Sequence, residues 1–215
     1  KILWLDANTI TGKSNSDAIA SWASRHDGSV TATQSTGSQQ PVYLTGQVNS
    51  LPAVSFDADM LAVNYGTTHA QDLMAFLVCK YDVTTGNGVN NALDGNDGSN
   101  RAFNFKQQGG GFGTYAGSGW INGTSGKDTN WHYFTIKLDG ASSYIRKDGS
   151  SHATGNPGSH GTSIQNIGAW KGGPADGNNF YMDGQIAELL IFSSALSDSD
   201  RNTVESYLSS KYNIS

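Results

Sequence analysis

Few side chains of this 215-residue chain are spaced for acid–base or metal chemistry. The chain has only two glutamates, Glu188 and Glu205, whereas a retaining glycosidase needs two carboxyl groups about 5 Å apart. Glu188 stands alone on an apolar strand, where we expect a structural acceptor that ties the last strand to a loop. Glu205 is expected to be solvated on a helix. The five histidines are scattered, without zinc-ligand spacing or a paired nucleophile. The sequence therefore contains no enzyme signature.

The stretch from residue 90 to residue 122 combines aromatic rings with amide and guanidinium groups. Sugar rings expose flat C–H faces that stack on aromatic planes, and their hydroxyls bond to Asn, Asp, Gln and Arg. Trp120 has small, flexible neighbours, so we expect its indole to stand out from a loop, with burial under a loop as the alternative. Tyr115, Arg101 and Asn104 are placed to join it. This stretch is the first candidate for ligand binding.

A second candidate site surrounds Trp170 and Lys171. Trp170 ends a predicted strand beside Lys171-Gly-Gly, and strand alternation places it on the same face as Asn166. The remaining tryptophans are predicted to be structural, namely Trp4, Trp22 and Trp131.

Acidic turns could also hold calcium, which takes six to eight oxygen ligands. The segment from Asp94 to Asn100 clusters oxygens but has no glutamate at the twelfth position of a calcium loop. Two aspartate pairs are alternatives, Asp57 with Asp59 and Asp176 with Asp183. Plain Asx-turns account for these residues equally well. No cofactor is required, a structural calcium ion stays open, and no metal ligand set is assigned.

Composition excludes several classes of partner and chemistry. The net charge is −5 and only 14% of residues are charged, whereas nucleic-acid binding needs a concentrated basic patch. No apolar run reaches the roughly eighteen residues that a membrane span needs. Cys79, the only cysteine, lies in an apolar strand and is expected to be a buried, inert thiol.

Short apolar runs bounded by turns predict many strands. We place them at 2–5, 53–56, 72–81, 101–105, 131–138, 142–146, 163–170 and 185–192. Asp-Gly pairs readily adopt the positive φ of tight turns, so four of them are predicted to be turns. These pairs begin at Asp94, Asp139, Asp148 and Asp183.

The end of the chain predicts a single short helix, from Ser197 to about Lys211. Ser197 and Asp200 have the spacing of a capping box, and Asp198 suits the positive end of the helix dipole. Val204, Tyr207 and Leu208 recur at helical spacing and give the helix one apolar stripe.

Several segments together resemble the bacterial laminin-G-like domains of the concanavalin A-like superfamily. The terminal strand, Ala195-Leu-Ser197 and the capped helix resemble the family's ending, and residues 3–7, 51–57 and 131–140 resemble three of its strand landmarks. The resemblance implies an all-β fold, a two-sheet antiparallel jelly-roll sandwich with one short C-terminal helix. It implies one laminin-G-like domain over residues 1–215. The motifs of laminarinase-like and alginate-lyase-like enzymes of the superfamily are absent.

These observations favour a non-catalytic, lectin-like module that binds a polysaccharide or another glycan. We expect a monomer or a module of a larger secreted protein, since the chain begins inside a strand, and we expect an extracellular or cell-surface location in a bacterium. A structural or adhesion domain with protein partners is the alternative. A polysaccharide lyase or hydrolase with an unrecognised site is the third hypothesis.

Overall fold

The computed structural model describes residues 1–82, 90–98, 100–170 and 180–215. It is 52% strand, with two antiparallel eight-stranded sheets and one short C-terminal helix, which confirms the predicted jelly-roll sandwich. The strands, in chain order, are β1 (Leu3–Asp6), β2 (Ser21–Ala23), β3 (Thr31–Thr33), β4 (Val42–Val48), β5 (Leu51–Asp57), β6 (Leu61–His69), β7 (Leu73–Tyr81), β8 (Asn90–Asn96), β9 (Arg101–Gln108), β10 (Gly111–Tyr115), β11 (Trp120–Asn122), β12 (His132–Leu138), β13 (Ser143–Lys147), β14 (Ser150–Gly155), β15 (Thr162–Ile167) and β16 (Asp183–Phe192).

The two sheets have different strand orders. The first sheet runs β14-β13-β12-β7-β16-β5-β4, and β1 also pairs with β16, beyond the part of β16 that pairs with β5. The second sheet runs β11-β10-β9-β8-β15-β6-β3-β2. The larger apolar core lies between the sheets and includes Phe103, Phe105 and Phe112 of the second sheet.

The first sheet is apolar on both faces, which explains the solid apolar runs in β7 and β16. On β7, Leu73, Ala75, Leu77 and Cys79 belong to the core between the sheets. The alternate residues of β7, with Leu208 and Tyr212 of the terminal helix, form a second cluster on the opposite face. Cys79 is completely buried and burial raises its pKa, so the prediction of an inert thiol holds.

Helix α1 (Asp198–Tyr212) covers the outer face of the first sheet. Ser197 is its N-cap, and the side-chain oxygen accepts from the backbone N–H of Asp200 at 3.1 Å. Asn213, in the left-handed conformation at φ 54°, ends the helix. The predicted helix and its cap are therefore confirmed. No helix among the described residues is long and apolar enough to span a membrane.

Two of the four predicted Asp-Gly turns are correct. The pairs at Asp139 and Asp148 connect β12 to β13 and β13 to β14. The pairs at Asp94 and Asp183 lie inside β8 and at the start of β16, so those two predictions are wrong. Their glycines serve close packing instead. A Cβ on Gly95 would lie 2.6 Å from Thr162 Oγ1, and one on Gly184 would lie 2.3 Å from a backbone oxygen of Lys80.

Both glutamates lie between the first sheet and α1, Glu188 on strand β16 and Glu205 on the helix itself. Glu188 is fully buried and accepts hydrogen bonds from the helix and from Trp4, so it ties the last strand to the helix rather than to a loop. The prediction that Glu205 is solvated is wrong. Only 6% of Glu205 is exposed, because it accepts from Thr135 Oγ1 at 2.7 Å and from Arg146 Nε at 2.9 Å.

Candidate carbohydrate-binding face

The second sheet has one face turned away from the core, and one row of residues crosses it at right angles to the strands. Residues directly opposite each other in antiparallel strands share a face. Successive pairings therefore align one residue from each of the eight strands on that face. The row is Trp120, Tyr115, Asn104, Asp94, Asn166, Ala62, Thr33 and Ser21.

The row begins with two aromatic rings at the edge of the sheet. Trp120 is the only large apolar residue that is exposed in the described part of the chain, with 37% of its surface accessible. Its ring centroid lies 4.9 Å from that of Tyr115, and the ring planes are tilted by 34°. Trp120 begins the short strand β11, so its exposure comes from a sheet edge and not from a loop as predicted.

Arg101 lies between the aromatic side chains. The carbon of its guanidinium group lies 4.5 Å from the ring centroid of Trp170, 5.3 Å from that of Trp120 and 5.8 Å from that of Tyr115. Cations are attracted to the faces of aromatic rings at such distances. Arg101 also donates from Nε to Asp94 at 2.6 Å, which fixes the guanidinium in this position. The structure thus places Trp170, from the second candidate site of the sequence, beside the first.

The floor between the rings is polar and buried. Asn104 is completely buried, and its amide nitrogen lies 2.7 Å from Asn91 Oδ1 and 2.9 Å from Asp94 Oδ1. Asn104 was predicted to bind ligand, but it has no exposed surface. Asn104 instead donates hydrogen bonds that hold Asn91 and Asp94 in place, and these two residues accept hydrogen bonds from Arg101.

Lys106 is a site residue that the sequence analysis missed. It shares a face with Asn104 because it is two residues further along β9. Its ammonium nitrogen lies 3.3 Å from the ring centroid of Trp120. Burial, assisted by the charge of Arg101, lowers the pKa of Lys106 to about 8, although Asp94 opposes the shift. The sequence did contain a signal for this role, because Lys106 is two residues from the predicted site residue Asn104 on a strand and therefore shares its face.

Trp170 lies just beyond β15 and stacks on Phe180, with 4.9 Å between the ring centroids and 18° between the planes. The strand ends at Ile167 and not at Trp170 as predicted, so strand alternation does not relate Trp170 to Asn166. Asn166 Nδ2 instead donates to the backbone oxygen of Trp170 at 3.3 Å. Lys171, the other residue of this prediction, lies outside the described residues, as does Asp176.

Two residues of the row, Thr33 and Ala62, also line an open groove of about 610 Å³. The groove is lined by β3 and β6, including Thr33, Ala62, Asn64 and Tyr65. With neighbouring strands about 4.8 Å apart, the five strands from Trp120 to Asn166 alone span about 19 Å. The face therefore has the dimensions for an extended ligand.

His132 lies on the other sheet and is bound at both ring nitrogens. Nδ1 lies 2.6 Å from Asp148 Oδ2, and Nε2 lies 2.8 Å from Asp128 Oδ1. Lys147 Nζ lies 3.4 Å from the other oxygen of Asp128. Since both nitrogens are engaged, His132 has none left for a metal ion or a substrate. Burial alone would lower the pKa of His132, but its bonds to Asp148 and Asp128 outweigh burial and raise it.

The raised pKa of His132 predicts a pH-dependent contribution to stability. The contribution is fully present below the unfolded pKa of about 6.5 and is lost as pH rises through the higher folded pKa. We expect His132→Gln to reduce the free energy of unfolding most at pH 5.5 and least at pH 9. Urea unfolding of both proteins at several pH values measures the difference. A difference that grows with pH would show that the histidine is not held as a cation.

Two of the calcium candidates are neighbours, because Asp57 lies directly opposite Asp183 in the pairing of β5 with β16. Within the described ranges, no three His, Cys, Asp or Glu side chains are grouped to hold a metal ion. Asp94 is paired with Arg101. Burial raises the pKa of Asp59 to about 6, although the backbone N–H of Asp57 opposes the shift. Burial also raises the pKa of Asp183, and the charges of Asp57 and Asp82 add to that shift. Calcium stays a prediction.

Several solved β-sandwich structures have a similar fold. Trypanosoma rangeli sialidase matches 97% of this chain with a TM-score of 0.64 and 13% identity, and the chain spans 32% of that sialidase. Domain 4 of AbnA, a GH43 extracellular arabinanase from Geobacillus stearothermophilus, was solved in complex with arabinotriose. It matches 77% of this chain and 81% of its own length, with a TM-score of 0.55 and 15% identity.

A third similar structure comes from botulinum neurotoxin type C, whose cell entry depends on interaction with two ganglioside molecules. It matches 89% of this chain and 51% of its own, with a TM-score of 0.57 and 12% identity. At these identities the likeness concerns the fold alone. No protein-family model matches the sequence, and a search of curated protein sequences found no match.

Proposed function

We propose that this chain is a non-catalytic carbohydrate-binding module that binds a polysaccharide segment across the outer face of its second sheet. The observation that carries the proposal is the row that begins at Trp120 and Tyr115 and continues over a polar floor. An exposed indole at a sheet edge offers a plane for a sugar ring. The partly exposed guanidinium of Arg101 offers donors for sugar hydroxyls, and the buried amides of Asn91 and Asn104 hold it and Asp94 in place.

Binding rather than hydrolysis is supported by the position of the carboxylates. Both glutamates hold the terminal helix to the first sheet, on the other side of the molecule from the row. On the row itself, Asp94 is paired with Arg101 at 2.6 Å.

The proposed location of the protein and its proposed polysaccharide ligand rest on sequence resemblance and on fold similarity. The resemblance to bacterial laminin-G-like domains supports placing the module in an extracellular or cell-surface bacterial protein, as a monomer or one module of several. The fold similarity to domain 4 of the AbnA arabinanase, solved with arabinotriose, supports a role in polysaccharide recognition. The proposed binding uses side chains alone and needs no cofactor. A structural calcium ion would appear as a lower melting temperature in EDTA, with unchanged sugar affinity.

A glycan array that includes plant and marine polysaccharides tests the proposal. We expect saturable binding to at least one glycan class, and no release of reducing ends or unsaturated products during prolonged incubation. Product formation would establish an enzyme instead. Absence of binding to every glycan would contradict carbohydrate recognition and favour the adhesion alternative.

A further inference from the structure

The candidate face carries an excess of positive charge on a protein whose net charge is −5. Two cations, Arg101 and Lys106, lie against the aromatic rings, and both are in contact with Trp120. The carboxylate paired with them directly is Asp94, which is bonded to Arg101. Among the described side chains of the site, two cations therefore meet one carboxylate.

The two cations differ in their hydrogen-bond and ion-pair partners. Arg101 donates to Asp94 at 2.6 Å and to Asn91 at 3.3 Å, so its charge and its donors are engaged. Lys106 has the Trp120 ring but no hydrogen-bond partner in the described part of the chain. Only 4% of Lys106 is exposed, yet its nitrogen is not completely enclosed.

A nearly buried ammonium group without a hydrogen-bond acceptor is costly, because it has lost most of its water and bonds to no anion in exchange. The lowered pKa of Lys106 is consistent with that cost. An anionic group from a ligand would supply the missing acceptor and would neutralise the excess charge. A neutral sugar would offer only hydroxyl groups, which bond to a cation less strongly than a carboxylate or sulfate does.

We propose that the glycan bound at this face is acidic, and that a carboxylate or sulfate group on it accepts a hydrogen bond from Lys106 Nζ while a sugar ring stacks at Trp120 and Tyr115. This inference rests on the proposed carbohydrate-binding function and specifies its ligand class. Charge attraction of this kind is screened by salt, so affinity for an acidic glycan falls as NaCl concentration rises.

The ligand side of the proposal is tested on the unmodified protein. The probes are alginate and polygalacturonate, each beside its carboxyl-reduced form, chondroitin sulfate beside its desulfated form, and neutral polysaccharides of the array. We expect binding to at least one acidic probe and about tenfold weaker binding after its charge is removed. Reduction and desulfation distinguish a carboxylate from a sulfate. Binding confined to neutral glycans, or unaffected by charge removal, overturns this inference and leaves the proposed function intact.

The protein side is tested by Lys106→Met, with Lys137→Met as a control of equal charge change. Lys137 lies on the other sheet, where its ammonium pairs with Asp139 at 2.8 Å. We expect Lys106→Met to weaken binding of the acidic probe about tenfold, and Lys137→Met to leave it unchanged. Equal affinities for both variants overturn the inference. Failure of the wild-type protein to bind any glycan overturns the proposed function as well.

A pH profile gives a readout that does not depend on any variant. Arg101 and Asp94 are the described charged groups that act on Lys106, whose pKa is about 8 in the free protein. A bound anion raises that pKa, so binding is strongest below pH 8 and weakens as pH rises through the higher pKa of the complex. Affinity for the acidic probe that is constant from pH 7 to pH 10 overturns the contact with Lys106.

Discussion

Replacing Trp120 with alanine is expected to weaken polysaccharide binding by about 2 kcal/mol, roughly 30-fold, because one exposed aromatic often supplies much of the contact energy of an interface. The free energy of unfolding is expected to change by less than about 1 kcal/mol, since Trp120 is 37% exposed at the start of an edge strand. Calorimetric titration with the glycan found on the array, together with urea unfolding, measures both quantities.

Two further variants show whether the loss comes from the aromatic plane at this position. Trp120→Phe keeps a flat ring beside Tyr115 and is expected to recover most of the affinity. Trp131→Phe makes the same chemical change at a partly buried tryptophan beside the first sheet and is expected to leave affinity unchanged. If Trp120→Ala instead destabilises the fold strongly and leaves affinity intact, Trp120 is a packing residue, and Trp170 becomes the aromatic to test.

Much of the fold could be predicted because its signals are local. The apolar run from Leu189 to Phe192 and the cap at Ser197 each specify an element without long-range information. The Asp-Gly signal was correct at Asp139 and Asp148 but failed at Asp94. There the glycine is required by the approach of Thr162, a residue distant in the sequence. A turn and a close contact both select glycine, and only tertiary structure distinguishes them.

The candidate site was predictable in residue type but not in arrangement. Trp120, Tyr115 and Asn104 were chosen for their chemistry, and strand register aligns them on one face. That register could not be derived from the sequence. Lys106 was missed because a lysine in a strand is normally a solvated surface residue, whereas here an aromatic ring covers it. The same expectation of solvation failed for Glu205, whose carboxylate points from the helix to the sheet and accepts from Arg146.

Glu188 is the most connected acidic group in the described structure outside the candidate face. It lies fully buried on β16 beneath the terminal helix. Its oxygens accept from Lys211 Nζ at 2.8 Å and Tyr212 Oη at 2.7 Å, as well as from Tyr207 Oη at 3.0 Å and Trp4 Nε1 at 2.5 Å. One carboxylate thus joins strand β1, strand β16 and helix α1.

We expect Glu188→Ala to reduce the free energy of unfolding by about 3 kcal/mol, because the indole of Trp4 and two tyrosine hydroxyl groups lose their shared acceptor. Lys211 keeps a carboxylate partner, since Asp6 also lies 2.8 Å from its nitrogen. Glu188→Gln is expected to cost less, since the amide keeps one acceptor oxygen. Asp198→Ala, at a side chain that is 88% exposed, is the matched control and is expected to cost less than about 1 kcal/mol. Denaturant unfolding of the three variants measures these costs. Equal stability of Glu188→Ala and Asp198→Ala would contradict a structural role.

Because Glu188 lies on the sheet opposite the candidate face, glycan affinity is expected to be unchanged in Glu188→Gln.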